Sequence, residues 1–225
     1  MNRFRPESLF FIAFLVVGAV HAVPPHPVFA PHEDHGEGEG GPTGSMPAAQ
    51  GTTLCVNGFS GSYPCRNVDL LSFLPLDQIG GGATNATGAD IWGWTDPQTG
   101  REYAIMALSH GATFVDVTDP TQPRWLGFIG SESGQSSLNR DVRVYRDHAY
   151  IVADSVGRHG MQVFDLARLR GVSSPQTFTP DGVFFGVDTV HNIDIDVDTG
   201  FAFLVGSNQC SGGLYIVDLR EPRNP

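Results

Sequence analysis

The sequence predicts an all-β fold, a β-propeller of four-stranded blades, because one motif occurs three times. In each copy a glycine is followed five residues later by an aspartate, with an apolar run between them, at residues 111–116, 160–165 and 213–218. The three aspartates lie 49 and 53 residues apart. A repeat of about 50 residues is typical of one supersecondary unit used several times, as in a propeller.

The segments that precede each glycine have the composition of short β-strands. They are rich in β-branched and aromatic residues and are bounded by Gly, Asp, Asn or Ser. The predicted first strands are residues 90–94, 141–145 and 192–196, and the predicted second strands are residues 103–107, 149–153 and 202–206. After the first aspartate, Pro120 and Pro123 break the chain, and residues 124–129 are expected to form a fourth strand.

A β-sandwich is the alternative fold, but it does not predict a recurrent four-strand unit. The blades are expected at residues 88–137, 138–188 and 189–225, with a partial blade at 54–80. Propellers close with about four to eight blades. The sequence therefore predicts an incomplete ring and a truncated chain. No helical periodicity is present after residue 23, and residues 165–170 are expected to form one turn only.

The N-terminal residues predict export. Arg3 and Arg5 precede an apolar segment and a small-residue cleavage site at Ala22, so residues 1–22 are expected to be a secretory signal peptide. A membrane anchor is the alternative, but about twelve apolar residues are fewer than the 20 or so that a bilayer requires. Residues 23–53 are rich in Pro, Gly, His and acidic residues and are expected to form a disordered linker.

The charge and the cysteines are typical of an extracellular, cell-surface or periplasmic protein. A net charge of −11 without a basic stripe argues against a nucleic-acid partner. Cys55 and Cys65 bracket a turn-rich loop and are expected to form a disulfide in an oxidising compartment. Cys210 is left unpaired here, and its partner is expected in a part of the protein beyond this chain.

Several runs of sequence resemble a known family. Leu-Tyr-Ile-Val-Asp at residues 214–218 resembles the repeat of the LVIVD-repeat proteins, and residues 54–225 resemble the bacterial choice-of-anchor B proteins. The stretches that carry the resemblance are residues 55–65, 67–75, 90–100, 114–120 and 210–213. The resemblance implies an exported β-propeller that is tethered to the membrane or cell wall by a C-terminal anchor, which we expect in a part of the protein beyond this chain. It implies no catalytic residue.

Polar residues at the starts of the three predicted first strands form the candidate site. They are Asp90, Arg140, Asp141, His191 and Asn192. Because the first strand of a blade lines the propeller channel, we expect these side chains at the channel mouth. Asp90, Asp141 and His191 have the chemistry to hold a divalent metal or to act as general acid and base, with Arg140 as an anion contact. The alternative is that all five bind water and neighbouring backbone.

Other polar residues of the repeat are expected to be structural. Asp116, Asp165 and Asp218 each end a motif, and we expect them to accept backbone N–H bonds that set the following turns. His110 and His159 each precede a motif glycine and are expected to be exposed at hairpin tips.

The sequence supports two functions of different classes. The first is a binding module for an extracellular protein or glycan. The second is a metal-dependent hydrolase or lyase with its site at the channel mouth. A structural spacer between other domains is a third hypothesis. No nucleophile elbow, phosphate-binding glycine loop or paired CxxC motif is present, so the binding module is preferred.

Overall fold

The computed structural model describes residues 49–83 and 85–225, and this part of the chain is all-β. Helix α1 spans Leu76–Ile79, and two 3₁₀ turns span Leu166–Leu169 and Cys210–Gly212. The described strands are β1 (Ala49–Thr53), β2 (Phe59–Ser60), β3 (Tyr63–Pro64), β4 (Leu70–Phe73), β5 (Gly88–Thr95), β6 (Glu102–Leu108), β7 (Gly111–Asp116), β8 (Arg124–Gly130), β9 (Arg140–Tyr145), β10 (His148–Ala153), β11 (Met161–Asp165), β12 (Gln176–Phe178), β13 (Gly182–Phe184), β14 (Asn192–Asp196), β15 (Phe201–Val205) and β16 (Tyr215–Asp218).

Three larger sheets follow the three copies of the repeat. The first sheet has the strand order β12-β8-β7-β6-β5, the second β13-β11-β10-β9 and the third β14-β15-β16. Apart from β12, neighbouring strands of these sheets are antiparallel and follow one another along the chain. The predicted first, second and third strands of every copy are therefore confirmed, as is the fourth strand of the first copy.

Strand β12 departs from the predicted boundaries. It belongs to the predicted unit 138–188, but it pairs in parallel with β8 of the first sheet. Gly127 in β8 permits this approach, because a Cβ there would lie 2.1 Å from the backbone oxygen of Gln176. Phe178 at the end of β12 is buried and packs edge-on against Phe114 and Phe164. Burial of this ring thus places a strand of the second unit on the first sheet.

The three sheets stack face to face around two hydrophobic cores. In the core between the first and second sheets, the rings of Phe114 and Phe164 stack at 4.6 Å beside Ile151. In the core between the second and third sheets, Tyr150 packs with Leu204 among its neighbours. Successive side chains of a strand point to opposite faces, so β10 contributes side chains to both cores. This explains why its residues 149–153 are all apolar.

The third sheet exposes a row of apolar side chains on its other face. Phe203 in β15 lies opposite Ile216 in β16, as Tyr150 lies opposite Val163 in the second sheet. Tyr150 and Val163 are fully buried, whereas Ile216 is 54% exposed. Side-chain positions that are buried where the second sheet packs on the third are therefore exposed on the outer face of the third sheet.

Two small sheets precede the repeat. Strand β1 pairs with β4 and β2 pairs with β3, and a disulfide joins Cys55 to Cys65 as predicted. The predicted linker, residues 23–53, contains β1, so the linker prediction is wrong for residues 49–53. Backbone pairing with β4 orders this segment, and the N–H of Gly51 donates to the carbonyl of Thr121 at 2.9 Å. The predicted signal peptide and linker residues 23–48 lie outside the described residues.

The turn predicted at residues 165–170 is the single 3₁₀ turn Leu166–Leu169. Cys210 is exposed and is a free cysteine within the described residues. Across residues 49–83 and 85–225, no helix combines the length and the apolar character needed to cross a membrane.

Candidate functional site

Two of the predicted site residues link neighbouring sheets through the same hydrogen bond. Oδ2 of Asp90 in β5 accepts a bond of 3.1 Å from the backbone N–H of Val142 in β9. Oδ2 of Asp141 in β9 accepts a bond of 2.9 Å from the backbone N–H of Ile193 in β14. Each carboxylate binds an amide 52 residues further along the chain. We call these two bonds the carboxylate–amide ties.

Arg143 completes this cluster and was missed in the sequence. Its Nη1 donates to Oδ2 of Asp90 at 2.8 Å and to Oδ1 of Asp141 at 2.7 Å. Its guanidinium also lies 4.4 Å from the ring centroid of Trp92, a cation–π arrangement. Residues two apart on a strand share a face, so the spacing of Asp141 and Arg143 was the available signal. Asn192 joins them, because its Nδ2 donates to Oδ2 of Asp141 at 3.3 Å.

The two carboxyl groups of this cluster titrate as a pair. Burial and the adjacent carboxylate of Asp90 raise the pKa of Asp141 to about 6. Burial also disfavours the charged form of Asp90, but hydrogen bonds from Asp141 and from the Val142 N–H outweigh it, and the pKa of Asp90 lies below its ordinary value. One proton shared between two carboxyl groups relieves the repulsion of like charges, and the apparent pKa values describe the pair.

His191 does not join Asp90 and Asp141. Its Nδ1 lies 2.9 Å from Oδ2 of Asp154, the residue that follows β10. This bond lowers the pKa of Asp154. No three His, Cys, Asp or Glu side chains within residues 49–83 and 85–225 are placed to hold a metal ion. The predicted ligands Asp90, Asp141 and His191 are therefore not assembled as a metal triad.

Arg140 is buried and holds two loops in place. Nε donates to the carbonyl of Ser109 at 3.2 Å, and Nη2 donates to Oγ of Ser131 at 2.7 Å and to the carbonyl of Gln135 at 3.0 Å. Nη1 lies 2.9 Å from Nε2 of His159. With only 3% of Arg140 exposed, the predicted anion contact is replaced by these neutral acceptors.

His159 is fully buried, so the prediction of an exposed hairpin-tip residue is wrong for it. Nδ1 lies 2.9 Å from the carbonyl of Gly160, which fixes the proton on Nδ1 and leaves Nε2 to accept from Arg140. Burial lowers the pKa of His159 to about 4, so the ring is neutral near pH 7. His110 is half-buried, and its Nε2 lies 2.7 Å from the carbonyl of Gly80.

The aspartates that end the motif have the predicted structural role. Oδ1 of Asp116, Asp165 and Asp218 each accepts the backbone N–H two residues later, at 3.1, 3.0 and 2.9 Å respectively. This bond forms an Asx turn, which reverses the chain after each third strand. The repeated aspartate is therefore part of the scaffold.

The site residues mainly bind protein groups. Asp141 is 3% exposed and accepts from two backbone amides, from Arg143 and from Asn192. A carboxylate with its oxygens occupied in this way is a poor general base and a poor metal ligand. Asp90 and Asp141 thus bind neighbouring backbone amides, Arg140 binds two carbonyl groups, and His191 and Asn192 bind carboxylates.

No family model matches the chain, and no curated protein or solved structure matches it either. The three larger sheets resemble one another in the order and antiparallel pairing of their first three strands.

Proposed function

We propose that the chain is part of an exported β-propeller that acts as a binding module for an extracellular protein or glycan. The observation that carries this proposal is the use of Asp90 and Asp141 as ties between sheets. Polar groups at the strand starts are engaged by neighbouring backbone, and this favours binding through the loops and clefts over catalysis at the channel.

Several features support the propeller. The sheets of successive repeats stack face to face, and their first strands β5, β9 and β14 are joined in series by the carboxylate–amide ties. The apolar row of Phe203 and Ile216 is the surface on which a further blade would pack. The resemblance to the choice-of-anchor B proteins belongs to the same proposal, with attachment to the cell surface through a C-terminal anchor.

Export is supported by the disulfide between Cys55 and Cys65, since disulfides persist in oxidising compartments. The test is expression with the native N-terminus in a bacterial host, followed by fractionation and N-terminal sequencing. We expect a mature chain outside the cytoplasm that starts after Ala22. Retention in the cytoplasm with residues 1–22 intact would contradict export.

Binding and catalysis are separated by two variants. The purified chain is applied to an array of extracellular glycans and to surface proteins of the host, and its metal content is measured by elemental analysis. We expect a defined binding profile that Asp141→Asn and His191→Gln leave unchanged. Absence of any binding partner, or hydrolytic turnover and bound divalent metal that both fall in the two variants, would overturn the binding module in favour of the metal-dependent hydrolase.

A further inference from the structure

A cleft at the border of the first and second sheets contains an arginine pair that the site described above does not use. Arg101 donates through Nε at 3.1 Å and through Nη2 to Oδ2 of Asp116. Nη2 of Arg124, which lies opposite Asp116 on β8, is 3.3 Å from the same oxygen. The adjoining cleft has a volume of about 240 Å³, and Tyr103, Leu169, Val172 and Ser173 are among its other lining residues.

The two arginines of the pair share one buried carboxylate. Burial disfavours the charged form of Asp116, but bonds from Arg101 and Thr118 outweigh it and lower its pKa, so Asp116 is anionic. Two guanidinium groups thus pair with the one carboxylate of Asp116, and Asp119 lies on the adjoining surface that Arg101 and Arg124 also line. Asp116 is buried, whereas the side chains of Arg101 and Arg124 are 43% and 53% exposed.

The other two repeats show that the scaffold needs only one arginine at this position. Asp165 is paired with Arg223, and Asp218 is paired with Arg220. Within residues 49–83 and 85–225, neither aspartate has a second arginine partner. Nε and Nη1 of Arg124 also donate to no group in that same part of the chain. Arg124 is therefore an additional cation whose donors are free to meet a ligand.

We propose that Arg101 and Arg124 bind the carboxylate of an acidic sugar in this cleft. The inference rests on the proposed binding of an extracellular glycan and assigns it a site and a ligand class. A guanidinium presents paired N–H donors whose spacing matches the two oxygens of a carboxylate, and such charge-assisted bonds are among the strongest polar contacts.

The remaining walls of the cleft fit a sugar ring. The hydroxyl of the exposed Ser173 is a neutral partner for a ring hydroxyl, and the buried side chains of Tyr103, Leu169 and Val172 form the floor of the cleft. The volume of about 240 Å³ lies below the roughly 300–1,000 Å³ of drug-sized sites, which suits a single ring. A protein partner would need about 800 Å² of surface on each side.

The test uses tri-galacturonic acid as the probe and its methyl-esterified form as the neutral control, with binding measured by isothermal titration at low ionic strength. Arg124→Gln is the main variant, because Arg124 is half exposed and contributes one long bond to Asp116. Arg220→Gln is the matched control, since it removes the arginine that pairs with the equivalent Asp218 of the third sheet.

We expect the acid to bind, the ester to bind at least about tenfold more weakly, and Arg124→Gln to lose about tenfold in affinity for the acid. Arg220→Gln should bind as the unchanged chain does. Equal binding of acid and ester, full affinity in Arg124→Gln, or no binding of the acid would each overturn this inference. If the acidic-sugar site is overturned but neutral glycans bind on the array, the proposed function as a binding module is still supported.

Discussion

The shared proton of Asp90 and Asp141 predicts an unusual dependence of stability on pH. The ordinary pKa of 3.8 is raised to about 6 for Asp141 in the folded chain. Between these values the folded state retains a proton that the unfolded state has released. The free energy of unfolding therefore falls as pH rises through this window, and the contribution of Asp141 is constant above pH 6 or so.

The size of the effect follows from the two pKa values. Raising the pKa from 3.8 to about 6 corresponds to about 3 kcal/mol. This is an upper value, because the lowered pKa of Asp90 acts in the opposite sense. His159 also opposes it, since a neutral buried histidine with a pKa of about 4 makes the folded chain more stable as pH rises toward 6.5. The contribution of Asp141 must therefore be isolated with a variant.

Asp141→Asn removes the titration and keeps the size and one acceptor oxygen of the side chain. Urea unfolding is followed by tryptophan fluorescence between pH 4 and pH 7.5, with Asp198→Asn, which removes an exposed turn carboxylate, as the control. We expect the unfolding free energy of the original chain relative to Asp141→Asn to fall by at most about 2 kcal/mol as pH rises from 4 to 6, because part of the full effect lies outside this range. A flat difference over that range, or one that rises with pH, would refute the shared proton.

Three further changes test other parts of the fold. Replacing both Cys55 and Cys65 with serine should lower the unfolding free energy by about 3 kcal/mol, because without the disulfide the unfolded chain has more conformational entropy. Urea unfolding of the double variant measures this loss, and an unchanged midpoint would contradict it. Arg140→Met removes a donor from the buried Ser109 carbonyl and from Nε2 of the buried His159, and it removes the bonds to Ser131 and Gln135. It should cost about 3 kcal/mol, and a thermal unfolding loss below about 1 kcal/mol would speak against the role of Arg140. Gly160 and Gly171 both have φ of +70°, but a Cβ at Gly160 would lie 2.7 Å from the carbonyl of Phe184, whereas Gly171 faces open space. Gly160→Ala should therefore destabilise the chain by about 2 kcal/mol more than Gly171→Ala, and equal losses would exclude the close approach.

The strands of the three sheets were predictable because their signal is local. Alternating or continuous apolar runs mark each strand, and the spacing of about 50 residues between similar segments predicts their order. Strand β12 was not assigned to its sheet, because its three residues carry no pattern of their own. Its place depends on the missing Cβ of Gly127 and on the burial of Phe178, both of which are tertiary effects.

The candidate site was predictable in position but not in partners. Equivalent spacing correctly placed Asp90 and Asp141 at the starts of adjacent strands. Which groups they bind depends on side-chain direction and on loops between the sheets, so Arg143 was missed. His159 was predicted to be exposed, and it is buried because it packs against the guanidinium of Arg140, which also binds Ser131 and Gln135. The burial of His159 therefore depends on the loop that contains Ser131 and Gln135, and the sequence of that loop has no periodic pattern from which the contact could be predicted.

The carboxylate–amide ties give the stack of sheets a direction. Asp90 provides an acceptor to the sheet after it, and the second sheet receives that bond at Val142 while presenting Asp141 to the third. The second sheet therefore has an amide-donor border toward the first sheet and a carboxylate-acceptor border toward the third, so both junctions have the same polarity. At the position equivalent to Asp141 the third sheet has Asn192, whose Nδ2 donates to Asp141. The aspartates at this position thus fix the order in which the three sheets can join, and the series of carboxylate acceptors ends at Asp141 within the described residues.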